Sequence, residues 1–173
     1  MVKLIVVFSA ALLMGLFLQA TLVHSFFPSA IAPDFVLILA FYLGLFFKSP
    51  GGAVGAFTLG AAADFASGVF VGPNAAGCAV AFYFVAMLSG HMFAEKGVVA
   101  ALLCFFASLV KSLVYVAILT VYAGAEMSGA IFGIMFGEAV FTGILAPVVV
   151  KLLGSGRSGY MINQLEIREA YRR

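Results

Sequence analysis

The chain has no tryptophan, two cysteines, two histidines and few charges: 9% of its 173 residues are Asp, Glu, Lys or Arg. Each shortage excludes a class of protein. A soluble domain carries about 25% charged residues, so this composition, 65% hydrophobic, belongs to an integral membrane protein. Cys78 and Cys104 fall in separate apolar segments, expected near opposite membrane faces, so they should not pair and are too few for a thiolate metal site. His24 and His91 also fall on opposite sides. There is no nucleophile elbow, phosphate-cradling loop, zinc motif or basic nucleic-acid patch. The outer turns are too short to build a carbohydrate cleft around paired carboxylates. The expectation is a protein that is not an enzyme, takes no cofactor or metal and binds no nucleic acid.

What is present is a series of apolar segments. The first runs from about Leu4 to Val23 after Lys3 and carries the small pair Ala11 and Gly15. It is too long for a signal peptide and reads as an uncleaved transmembrane helix. A loop with Pro28 leads to Ala32-Pro33-Asp34-Phe35, which opens a second apolar run to Phe47. Pro suits a first helical turn, and Asp there complements the positive end of the helix dipole. Asp34 therefore reads either as a helix-start residue at the membrane surface or as a partner-binding residue. After the turn at Lys48-Ser49-Pro50-Gly51, the stretch Gly51–Asn74 is long enough to cross a bilayer, which needs about 20 helical residues. Its spacing puts Ala56, Gly60, Asp64 and Gly68 on one face, with Ala61 and Ser67 beside them. Phe57, Leu59, Phe65 and Val69 point elsewhere. This segment is expected to be the packed centre of the bundle, because small residues allow a neighbouring helix to approach closely.

Three further helices are expected at about Ala75–Phe93, Val98–Tyr122 and Gly129–Leu153. The last carries a four-spaced strip of Gly129, Gly133 and Gly137, with Pro147 as a kink site. With the amino terminus inside, Lys3, Lys48, Lys96, Lys151, Arg157, Arg168, Arg172 and Arg173 are all cytoplasmic, and the ninth basic residue, Lys111, is intramembrane. The expected architecture is all-α: a six-transmembrane-helix bundle over residues 1–153 in the bacterial inner membrane, with both termini cytoplasmic. A short cytoplasmic tail, 154–173, follows. In it Met161, Ile162, Leu165 and Ile167 alternate with Glu166, Arg168 and Glu169, a pattern for association with an anionic lipid surface.

Three charges lie within the apolar segments. At helical rise, Asp64, Lys111 and Glu138 sit roughly 12, 20 and 14 Å from their outer turns. A charge at the bilayer centre costs about 2.5–3.5 kcal/mol on insertion scales. Lys111 is therefore expected to pair with Glu138 or Asp64, the remaining acid being protonated or bonded to hydroxyls such as Ser67 or Ser108. This network reads as a structural clamp fixing helix order or, alternatively, as a transport or proton-relay site.

Three motifs in order resemble the rod shape-determining protein MreD family. They are P-D-F-V-L-I-L-A-F-Y-L-G-L at Pro33–Leu45, G-A-F-T-L-G-A-A-A-D-F-A-S-G-V-F-V-G at Gly55–Gly72, and the weaker pair S-L-V-K at Ser108–Lys111 and G-I-L-A-P at Gly143–Pro147. Gly60, Asp64, Ser67 and Gly68 fill the family's G-x3-D-x2-S-G pattern, followed by a small-residue turn at Gly72. Lys111 departs from the acidic residue expected near that position, and Glu138 is the candidate compensating charge. The resemblance implies a non-enzymatic inner-membrane component of the cell-elongation machinery. Its partners would be an MreC-like bitopic membrane protein, a RodA-type glycan polymerase and an elongation penicillin-binding protein. Pro33, Asp34, Gly60, Asp64, Ser67, Gly68 and Gly72 are the candidate partner-binding or structural positions. The family's fold resembles the six-helix substrate-binding subunits of energy-coupling-factor transporters, which defines the rival reading: a vitamin- or metal-binding transporter subunit. Against it stand the short outer turns, the missing His, Asp and Asn clusters of metal-specific members, and the absence of Trp for stacking a vitamin ring. A lipid-linked precursor transporter would be expected to be larger.

Overall fold

The computed structural model describes residues 32–68, 72–89, 97–123 and 129–154. The expected first helix, Leu4–Val23, and the 155–173 tail lie outside the described residues. Five helices are described: α1 Phe35–Phe46, α2 Pro50–Ser67, α3 Pro73–Leu88, α4 Gly97–Ala123 and α5 Gly129–Gly154. Two of them, α4 and α5, are long and apolar enough to cross a membrane.

The centre of the bundle is α1, not the Gly51–Asn74 stretch. Every residue from Val36 to Leu45 is buried, and α1 packs against each of the other four helices. The physical reason lies in its sequence: FVLILAFYLGLF has no polar face to turn outward, and a helix apolar all round belongs in the interior. Its start is set by Asp34, whose carboxylate accepts the Leu37 N–H at 2.9 Å. Pro33 precedes this cap and is not part of the first helical turn. At the other end the Phe47 N–H returns to the Leu43 carbonyl, and Ser49 caps α2 through Gly52, with Pro50 at the first helical position.

The Gly51–Asn74 stretch divides between two helices. α2 ends at Ser67, where Gly68 takes a left-handed conformation with φ of 67° and returns its N–H to the Asp64 carbonyl. Glycine closes helices this way because it has no Cβ penalty at positive φ. α2 buries one stripe, Gly52, Ala53, Ala56, Leu59, Gly60 and Asp64. The expected outward position of Leu59 is thus corrected: it is three residues past Ala56 and shares its face. Phe57 and Phe65 do point outward, Phe65 being 72% exposed.

Close approach is concentrated at a few glycines. A Cβ on Gly60 would stand 2.3 Å from the Asn74 carbonyl oxygen, and one on Gly52 would stand 2.1 Å from that of Phe47. At Gly143 a Cβ would meet the Ala101 carbonyl oxygen at 3.0 Å, which is where α5 seats on α4. Gly129 and Gly133 differ: nothing described lies within 4 Å of either, so the expected glycine strip makes no close helix contact there.

Candidate polar centre of the bundle

Two constellations form, and neither is the one the depth count anticipated. The first joins α1, α4 and α5. Lys111 is the fifteenth of the 27 residues of α4, and its ammonium group bonds and ion-pairs with the Asp34 carboxylate. Both side chains are buried. Asp34 is therefore inside the bundle and not on its surface. It marks a helix N-terminus level with the middle of α4, so α1, only 12 residues and about 18 Å long, starts deep inside the bundle. The Asp34 N–H donates to Thr142 Oγ1 at 3.0 Å, and Thr142 is likewise central in α5. Irregular backbone at this depth is tolerated only where protein satisfies it, and Pro33 and Asp34 are both buried.

Gly77 makes room for the cation. A Cβ there would stand 2.8 Å from the Lys111 Cγ, so the lysine stem crosses α3 where a side chain is missing. The expected partners of Lys111 are corrected accordingly. Asp64 bonds elsewhere, and Glu138 makes no ion pair among the described residues, although it feels the charges of both Asp34 and Lys111. Asp34, read from its Pro-Asp context as a helix start or a partner-binding residue, is the carboxylate that Lys111 meets.

The second constellation is a turn. Asp64 is 1% exposed, and its two carboxylate oxygens accept three backbone N–H groups, from Gly72 at 2.8 Å, Asn74 at 3.0 Å and Ala75 at 3.1 Å. Gly72 is the N-cap of α3 and has no side chain to cap with, while Pro73 has no N–H. Asp64 thus supplies from α2 the cap that α3 lacks, with its negative charge at the positive end of the α3 dipole. The distance of Asp64 from Gly72 is not a depth along one helix, because α2 has already ended. Gly60 lets α3 come close enough for these bonds. Ser67 turns its hydroxyl back to the Asp64 carbonyl at 2.8 Å. Gly68 and Gly72 have φ of 67° and 131°, conformations that other residues adopt at a cost.

Gly60, Asp64, Ser67, Gly68 and Gly72 therefore act together, as do Asp34 and Lys111. Thr142 and Gly77 carry no flag in the sequence as partners, although Thr142 shares the Glu138 face one turn on. Cys78 and Cys104 are free and fully buried. Among the described residues no three His, Cys, Asp or Glu side chains form a metal-binding group.

Comparison with curated proteins and with solved structures gives no match. The family model of rod shape-determining protein MreD matches residues 1–155. With most of its length and both constellations inside that match, the chain belongs to the MreD family, bacterial membrane proteins with a role in rod-shape determination.

Proposed function

We propose that this protein is a non-enzymatic, multi-pass scaffold of the cell-elongation machinery in the inner membrane. It has six transmembrane helices and cytoplasmic termini, binds an MreC-like bitopic protein, and through it or directly helps position a RodA-type glycan polymerase and an elongation penicillin-binding protein for lateral wall synthesis. The observation that carries the reading is the inward use of its charges. Asp34 caps its own helix and neutralises Lys111, and Asp64 caps α3. Polar groups arranged this way fix helix positions and leave an apolar outer surface for lipid and partner helices.

One observation favours the rival transporter reading. α1 begins deep in the bundle, and half-helix N-termini at such depth bind anionic substrates in transporters. Here the N–H groups of Leu37, Asn74 and Ala75 are already bonded to Asp34 and Asp64, which weighs against an anionic ligand there. Pulldown of the tagged full-length protein from its native membrane in mild detergent tests the choice. Recovery of an MreC-like protein with wall-synthesis enzymes is the expected result. Recovery of paired ATPases with a coupling membrane subunit would overturn the scaffold reading in favour of the transporter one.

A further inference from the structure

The polar centre holds more hydrogen-bonding capacity than its bonds use. An ammonium group has three donors, and among the described residues Lys111 meets one acceptor, Asp34. One turn away on α4, the Ser108 hydroxyl is buried with no hydrogen-bond partner among the described residues. On α5, Glu138 lies one turn before Thr142, the residue that holds the Asp34 N–H. Glu138 is half-buried and has no ion pair among the described residues, and it lies between Phe136 and Gly143, both of which pack on Phe105 of α4. A carboxylate in an apolar setting is driven toward any cation in reach. The lysine chain is long and flexible, and its stem lies against Gly77, where a Cβ would stand 2.8 Å from its Cγ.

We propose that Glu138 is a second acceptor for Lys111, and that the ammonium group exchanges between Asp34 and Glu138 as a latch on the α1 N-terminus. With Lys111 on Asp34, the first turn of α1 is tied to both α4 and α5. With Lys111 on Glu138, the ion pair links only α4 and α5, and the Asp34–Thr142 bond is the remaining polar tie between the first turn of α1 and the other described helices, beside its apolar packing. Ser108, three residues before Lys111 on α4, is the hydroxyl that would accept a second ammonium N–H during the exchange. Because α1 touches every other described helix, the latch acts on the element through which the bundle is held together. The inference does not depend on which partner the protein binds.

Two measurements on the purified full-length protein in detergent test it. The first is a double-mutant cycle on the thermal unfolding midpoint, with Asp34→Asn, Glu138→Met and both together. Asn retains the cap and removes the charge. Either single change leaves Lys111 one carboxylate, whereas the double change leaves none. The expected drop for the double variant exceeds the sum of the singles by at least about 3 °C; an additive result overturns the proposal. The second needs no change at Asp34. Glu138→Met removes the alternative acceptor, so amide exchange in the first turn of α1, at Leu37 and Ile38, should slow by about threefold or more. Unchanged or faster exchange there overturns the proposal even if Asp34→Asn fails to fold.

Discussion

Replacing Asp64 with alanine isolates the cap that one helix lends to another. The substitution removes both acceptor oxygens and leaves three N–H groups behind. Those of Gly72 and Asn74 are partly buried, so water replaces much of what they lose, whereas that of Ala75 is buried. A bond to a charged acceptor contributes about 1.5–3 kcal/mol, and a buried donor left unmet costs about 1–3 kcal/mol. Counting one fully lost bond and two partly replaced ones gives a destabilisation of roughly 2–4 kcal/mol, a large share of the ~5–15 kcal/mol that holds a domain folded. Asp64→Asn keeps one carbonyl acceptor and loses the charge, so about half that cost is expected. The assay is equilibrium unfolding of the full-length protein in mixed micelles, read by tertiary signal against denaturing detergent. The predicted order is wild type, Asp64→Asn, Asp64→Ala. The reasoning is refuted if Asp64→Ala unfolds within about 0.5 kcal/mol of wild type, or if the asparagine variant is as unstable as the alanine one.

Gly60→Ala forces a Cβ against the Asn74 carbonyl at 2.3 Å. A cost of about 1–3 kcal/mol is expected in the same assay. Combined with Asp64→Ala the cost should be less than additive, since both changes displace the α3 N-terminus. Lys111→Met leaves the Asp34 carboxylate buried without its cation and should cost about 3–5 kcal/mol, much of it recovered in Asp34→Asn/Lys111→Met. Thr142→Val removes the acceptor of the Asp34 N–H and should cost about 1–3 kcal/mol, while Thr142→Ser stays close to wild type. Gly68→Ala meets no neighbour within 4 Å but keeps φ of 67°, so only the left-handed backbone cost of about 1 kcal/mol is expected.

Local periodicity was enough to locate α4 and α5 to within a residue or two, because both are long apolar runs with polar turns at their ends. It also marked Asp64 and Gly60 as an inward face. What it could not supply was the rank of the segments. The run from Asp34 to Phe47 reads as one more spanning helix, short for the purpose, yet its uniform apolarity is the reason it sits at the centre. Gly51–Asn74 is long enough to span, but Gly68 and Gly72 divide it. The turn at Gly72 is legible beside Pro73, but the left-handed helix end at Gly68, within a glycine-rich stretch, gives no signal until the chain is seen to turn there. The charge network was legible as a need, since Lys111 required a carboxylate. Its answer came from Asp34, 77 residues away, whose Pro-Asp context has an ordinary local meaning as a helix start. Asp34 fills that local role and the long-range one together, and only the depth of the α1 N-terminus reveals the second.

The most direct test of the account combines folding with partner recovery in one variant. Asp34→Asn/Lys111→Met keeps the α1 cap and removes both charges at the centre of the bundle. If those charges fix helix positions, and partners are held by the outer surface, the variant accumulates in the membrane. It also still recovers an MreC-like protein and wall-synthesis enzymes in a mild-detergent pulldown, at close to the wild-type yield. A variant that is folded and abundant but recovers none of these proteins would contradict the account, because the charges would then belong to recognition rather than to the clamp.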